Sequence, residues 1–296
     1  MNPDGRVNRT VAFIAGAGHS GTTLLGLLLG THASVFYAGE AWNSTRLGAV
    51  KDDGKTVRCT YCGAGCPVWA GLRPGSDGLG PAGSPDLYET LSVRSGRPVV
   101  VESTKAVRWI EMQAEAVRDV VPAHLLLLGR DGRAVVNSQL RKYPRIPVRE
   151  HAGTWAAQIR ASEELAARWP GPVSRLHYED LATRTESTLR RLTASLGLAF
   201  EPAMLDPWNS EQHPLGGNSG THFLLARSRG SRANGTAPAD VPVEPVDVPV
   251  DAAKREHYSR HPPAVVLDLR WHQEMPEDAL AVFEEVAGEV NIPYAR

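Results

Sequence analysis

Three glycines, Gly16, Gly18 and Gly21, followed at once by Thr22 and Thr23 in GAGHSGTTLLG, are the residues of this chain best suited to hold an anion. Glycines in a tight turn let backbone N–H groups converge, and a helix opening at the threonines adds its positive end, so the chemistry on offer is phosphate binding. Against the triphosphate pattern G-x-x-x-x-G-K-[ST], the frame Gly16 to Thr23 fits except that Thr22 stands where the lysine belongs. Such a loop is poorly equipped for a β,γ-phosphate with magnesium. A glycine turn without a ligand is the ordinary alternative in α/β chains, and the adjacent Ser-Gly-Thr-Thr weighs against it.

A second candidate lies in LLLLGRDGRAVVNS, where Arg130 follows an apolar run and Ser138 comes eight residues later, about two helical turns on. Both can face one anion if the loop folds back over the helix start. Read blandly, the same stretch is a charged turn with Asp131 as a helix N-cap.

These residues need a scaffold. VAFIAGA (11–17), RPVVVES (97–103) and AHLLLLGRDG (123–132) are apolar runs of strand length, SRLHYEDL (174–181) is a fourth candidate, and helix-like segments fall at 106–120, 134–142, 149–168, 186–196 and 278–289. Strands alternating with helices predict an α/β fold with a P-loop-like central parallel sheet flanked by helices. The length suits one domain, 1–296, with long insertions: a Gly-, Pro- and Cys-rich one over 45–95 and a loop region over 199–251 that includes PADVPVEPVDVPVD.

Composition narrows the function classes. A formal net charge of -1 argues against broad nucleic-acid binding, which needs a basic surface. No apolar run is long enough for a membrane span, and the polar start MNPDGRVNRT does not read as a signal peptide, so the expected location is the cytoplasm, with no membrane partner. The three cysteines share one cluster, CTYCGAGCPVW, at Cys59, Cys62 and Cys66. Zinc needs a fourth ligand and no histidine lies close in sequence, so the activity is expected to need no metal; zinc, a disulfide to Cys66 and reduced thiols all stay open for the cluster.

AGAGHSGTTLLGLLLG resembles the 5'-phosphosulfate loop of sulfotransferases that use 3'-phosphoadenosine 5'-phosphosulfate (PAPS), and RDGRAVVNS is similar to the 3'-phosphate motif of that family. The resemblance implies that Gly18, His19, Ser20, Gly21, Thr22 and Thr23 hold the 5'-phosphate, that Arg130 and Ser138 hold the 3'-phosphate, and that no metal is required. His19 departs from the arginine or lysine usual before Ser-Gly-Thr-Thr. FYAGEAW sets Glu40 where tyrosylprotein-type members carry their catalytic base, and VESTK resembles the strand end that supplies a lysine, here Lys105. Lys105 and His19 would then offset charge on the leaving phosphate. YEDL resembles a core-shaping segment, so Tyr178 and Asp180 read as structural. HPLGGNSGTH resembles a late family motif, and the following ARSRGSR supplies Arg227, Arg229 and Arg232 to close over the nucleotide. Cys66, Pro67 and Trp69 resemble an acceptor-side segment, and Trp42 and Trp69 are candidate pocket walls as well as ordinary core residues.

The expected activity is direct in-line transfer of a sulfuryl group from PAPS, leaving PAP, to a hydroxyl of a small-molecule acceptor, a specialised metabolite or a carbohydrate. The alternatives are a nucleotide kinase or triphosphatase with a degenerate loop, and a non-catalytic PAP-binding module. The sequence is silent on oligomeric state.

Overall fold

Every second residue of the first apolar run faces the same way, and both sets are buried. In β1 (Thr10–Ala15), Val11, Phe13 and Ala15 enter one hydrophobic cluster while Ala12 and Ile14 enter another on the opposite face. A strand covered on both faces reads as an unbroken apolar run, which is why it was visible in the sequence. The computed structural model describes residues 5–51, 54–75, 79–80, 82–233, 252–260 and 262–296, without the side chains of 229–233, 252–254 and 257.

Four more strands complete a parallel sheet: β2 (Val35–Gly39), β3 (Val99–Glu102), β4 (Ala123–Gly129) and β5 (Val173–His177), in the spatial order β2-β3-β1-β4-β5. β2 is the strand absent from the sequence reading. Its five residues, VFYAG, are too few to show a period and come soon after a leucine-rich helix that ends at Gly30. The fourth candidate run divides, with β5 ending at His177 and YEDL starting a helix.

The helices flank the sheet: α1 (Thr22–Gly30), α2 (Asp86–Ser95), α3 (Val107–Val117), α4 (Gly132–Lys142), α5 (Val148–Ala167), α6 (Tyr178–Thr183), α7 (Thr185–Ser195), α8 (Ser219–Ala233), α9 (Ala252–Ser259), α10 (Trp271–Glu274) and α11 (Glu277–Asn291). Five match the expected segments within a few residues. α8 corrects the expectation of a loop throughout 199–251, whereas PADVPVEPVDVPVD lies outside the described residues. In the 45–95 insertion, α2 occupies the end, and the described residues between Arg46 and Asp86 form turns and isolated bridges. Among the described residues, no helix is long and apolar enough to cross a membrane.

Candidate active site

The loop between β1 and α1 is built around backbone angles that glycine adopts freely. Gly16 has φ 147° and Gly21 has φ 91°. A Cβ on Gly16 would stand 2.4 Å from the Leu128 carbonyl oxygen, and one on Gly21 would stand 2.6 Å from the Tyr178 ring. Both positions therefore exclude a side chain twice over, by angle and by space. His19, at φ 65°, is the one non-glycine residue with positive φ among the described residues. Such an angle costs about 1–3 kcal/mol and marks sites where the surroundings dictate the backbone. α1 then opens with Thr22 and Thr23, and no side chain caps its first amides. Uncapped N–H groups at a helix start are free to meet an anion.

β4 delivers the second group. Arg130 leaves its carboxyl end, lies over the Tyr178 ring with its guanidinium carbon 4.2 Å from the centroid, and donates from Nη1 to the His19 carbonyl at 2.8 Å. Its Nη2 reaches Asp268 Oδ2 at 3.1 Å, and its buried Nε has no hydrogen-bond partner among the described residues. The bland reading of the next residue also holds: the Asp131 side chain accepts from the Arg133 amide at 2.9 Å and caps α4. On α4, Ser138 Oγ lies 2.9 Å from His19 Nδ1, so the two predicted phosphate sites touch through this pair.

Burial, with the positive charges of Lys142, Arg130, Lys105 and Arg141, lowers the His19 pKa to about 4, so the imidazole is neutral near pH 7. A neutral ring offers one donor and one acceptor. When Nδ1 accepts from Ser138, Nε2 carries the proton.

The remaining chemistry comes from the next two strand ends. Glu40 follows β2, and its amide donates to the Leu215 carbonyl at 2.8 Å. Leu215 in turn donates to Ala38 at 2.9 Å, so the segment around it lies along the end of β2 like a short extra strand. Lys105, three residues past β3, places Nζ 2.5 Å from Glu40 Oε1. Both side chains keep about a quarter of their surface exposed, at 26% and 22%. Further along the same segment, the Asn218 amide donates to Thr23 Oγ1 at 2.9 Å, which ties the late glycine-asparagine motif to the start of α1.

All these groups meet in a cleft of about 480 Å³ outside the carboxyl ends of the strands, the usual place for a ligand in an open α/β sheet. Gly18, His19, Gly21, Thr22, Thr23, Glu40, Lys105, Arg130 and Ser138 all line it. Ser20 is the exception, fully buried beneath the loop. Arg227 donates to the carbonyl oxygens of Tyr258 and Ser259 at the end of α9 and is not among the cleft-lining residues, while the side chains of Arg229 and Arg232 lie outside those described. The lining aromatics are Tyr178, Trp208 and Tyr258, not Trp42 or Trp69; Trp69 is buried and donates to the His213 carbonyl at 2.6 Å.

Three residues of the site escaped the sequence reading. Lys142 lies one turn beyond Ser138 on the same helix face, a signal its spacing carried. Asp268 and Arg270 come from a stretch before α10 that no motif marks. Burial works against the ionised Asp268, but hydrogen bonds from Arg270 and the charges of Arg130 and Arg270 outweigh it and hold the carboxyl well below the usual carboxylate range. Tyr178, read as structural, is also a wall of the cleft.

No protein-family model and no curated protein matches the chain. Among solved structures, the sulfotransferase domain of the Synechococcus PCC 7002 olefin synthase aligns with a TM-score of 0.50 at 16% identity, covering 97% of this chain and 98% of that one. The chain has the sulfotransferase fold. The sulfotransferase domain from the curacin biosynthetic pathway (TM-score 0.49, 14% identity, covering 94% and 98%) and mouse sulfotransferase SULT7A1 complexed with PAP (0.45, 13%, covering 97% and 89%) are also similar. At such identities the likeness concerns the fold, and the cleft must be read on its own chemistry.

Proposed function

We propose that this cleft binds PAPS and that the protein transfers its sulfuryl group to a hydroxyl of a small-molecule acceptor. The observation that carries the reading is the convergence, in one cleft, of a lysine-free glycine loop, a separate arginine and serine, and a carboxylate paired with a lysine. The loop amides and the hydroxyls of Thr22 and Thr23 suit a single 5'-phosphate. Arg130, with Ser138, suits a second phosphate, since both line the cleft and a guanidinium presents several donors to one phosphate.

In the proposed step, Glu40 takes the proton of the acceptor hydroxyl as that oxygen attacks sulfur. The bond from sulfur to the phosphate oxygen breaks, and its electron pair stays on the departing PAP. Lys105 turns from Glu40 to that oxygen, and His19 donates from a neutral ring. Substituting Glu40→Gln tests this directly: transfer from PAPS should fall by about 10²–10⁴-fold while PAP binding is retained. Full activity in that variant would remove Glu40 from the mechanism.

A kinase or triphosphatase would need a free acid to hold magnesium, and the carboxylates that line the cleft, Glu40 and Asp268, are paired with Lys105 and with Arg130 and Arg270. Asp131 is engaged by Arg133 and the Arg296 amide, and Glu102, at the end of β3, is fully buried under donors from Tyr88, Thr104 and Trp109. Neither lines the cleft.

A further inference from the structure

The insertion after Arg46 has little to hold it. Its described residues up to Asp86 form turns and isolated bridges, yet they bury Cys59, Cys66, Val68 and Trp69 against the sheet. The three thiols gather at one point, and the fold brings to them a histidine 147 residues beyond Cys66 in sequence. His213 Nδ1 lies 3.2 Å from Cys62 Sγ and 3.6 Å from Cys66 Sγ, and the four ligand atoms of Cys59, Cys62, Cys66 and His213 all lie within 4.8 Å of one another. This overturns the sequence-based objection to a metal, which was the missing fourth ligand.

We propose that Cys59, Cys62, Cys66 and His213 form a structural zinc site. With Zn–S near 2.3 Å and Zn–N near 2.0 Å, a tetrahedron has edges of about 3.5–3.8 Å, so the ligand separations need to change by about 1 Å or little more. Three thiolates and one imidazole are the ligand set that a borderline-soft divalent ion prefers, and four protein ligands leave no open position for catalysis.

The local backbone suits the ion as well. Cys59 and Cys62 flank a turn in which Gly63 takes φ 62° and its amide donates to the Cys59 carbonyl at 3.1 Å, which sets the two thiols on one side. The amides of Tyr61 and Cys62 point at the Cys59 sulfur, and those of Val68 and Trp69 at the Cys66 sulfur. The other ring nitrogen of His213 lies 3.3 Å from Glu211 Oε1, the carboxylate contact that fixes a ligating histidine with its free lone pair on the metal side.

The site would staple the insertion to the segment that lies along β2. The Thr60 amide donates to the Pro214 carbonyl at 2.9 Å, and two residues later Gly216 donates to Thr60 Oγ1 at 3.2 Å. Zinc therefore secures the chain that carries Leu215 and Asn218 to Glu40 and Thr23, while touching no part of the cleft itself. The inference stands whether or not the cleft binds PAPS.

The test is metal analysis of the full-length protein, purified without chelator or immobilised metal, after dialysis against a weak chelator. About one zinc per chain is expected, and cobalt(II) exchanged into the protein should show the intense d–d and thiolate charge-transfer absorption of a tetrahedral sulfur-rich site. Cys62→Ser and His213→Ala should lose most of the metal, and Glu211→Gln should weaken binding by about tenfold. A metal-free wild-type protein, a disulfide among the three cysteines, or bound metal without the thiolate spectrum would each overturn the proposal. The wild-type measurement decides even if the variants fail to fold.

Discussion

The loop from Gly16 to Gly21 and the loop from Cys59 to Cys66 are both tight, glycine-bearing turns that aim polar groups at a point, yet they were unequally readable. The first is complete within one short stretch: strand, glycines, hydroxyls and helix start follow in order, so sequence spacing equals spatial spacing. The second holds three of four groups locally and takes the last from His213, which only the fold supplies. A contiguous motif can be read from residue order; a motif closed by tertiary packing cannot.

Glu40 is where the two regions meet, since its amide is held by Leu215 and its carboxylate faces Lys105 in the cleft. Its substitution by glutamine should therefore give the largest effect, on transfer and not on nucleotide binding. Arg130→Ala comes next. Removing a charged donor that touches both the loop and the open cleft should weaken PAP binding by about ten- to hundredfold, measured by calorimetry, and should leave the metal content unchanged. Coupled loss of both would break the separation drawn between the two regions.

Gly21→Ala attacks the first loop through its backbone. Positive φ and the Tyr178 ring at 2.6 Å together should cost about 1–3 kcal/mol, read as a lower midpoint in urea unfolding. An unchanged midpoint would mean that the loop relaxes and is not fixed by its packing.

The pH dependence of stability should show the buried histidines. Burial lowers His222 to about 4 despite the opposing Gly216 carbonyl and Glu40, as burial and nearby positive charge lower His19. A group with a depressed folded pKa binds fewer protons in the native state than in the unfolded chain. Stability should then fall as pH drops from the ordinary histidine value of 6.5 towards about 4, by up to about 3 kcal/mol for each histidine. Saturating PAP should blunt the His19 share, because an anion beside the ring favours its protonated form. Urea midpoints across that window, with and without PAP, check both statements.

The smallest effect concerns Asp268, whose carboxylate faces Arg130 where an anion would bind. Asp268→Asn should tighten PAP binding by about threefold to tenfold by removing a like charge from the ligand's surroundings. Weaker binding would mean that Asp268 mainly orients Arg130.

The same division between local and distant information runs through the fold. β1, β3 and β4 were legible because strands buried on both faces are unbroken apolar runs. β2 was not, because VFYAG is short and joined to α1 by a few residues. Arg130 and Ser138 were found by their place after a strand and within the following helix. Asp268 was not, because VVLDLRW is an ordinary chain segment until it folds over Tyr178, whose hydroxyl donates to the Val266 carbonyl at 2.5 Å. His213 belongs to the late motif but reaches the cysteines and not the cleft, a partnership set by the path of the chain past the end of β2.

In the proposed function, this lysine-free loop and its neighbouring arginine serve a nucleotide with separate 5'- and 3'-phosphates. Calorimetric titration of the wild-type protein with PAP, adenosine 5'-phosphosulfate and Mg-ATP tests it most directly. PAP should bind most tightly, and adenosine 5'-phosphosulfate, which lacks the 3'-phosphate, should bind more weakly. Preference for Mg-ATP, or no binding of PAP, would contradict it.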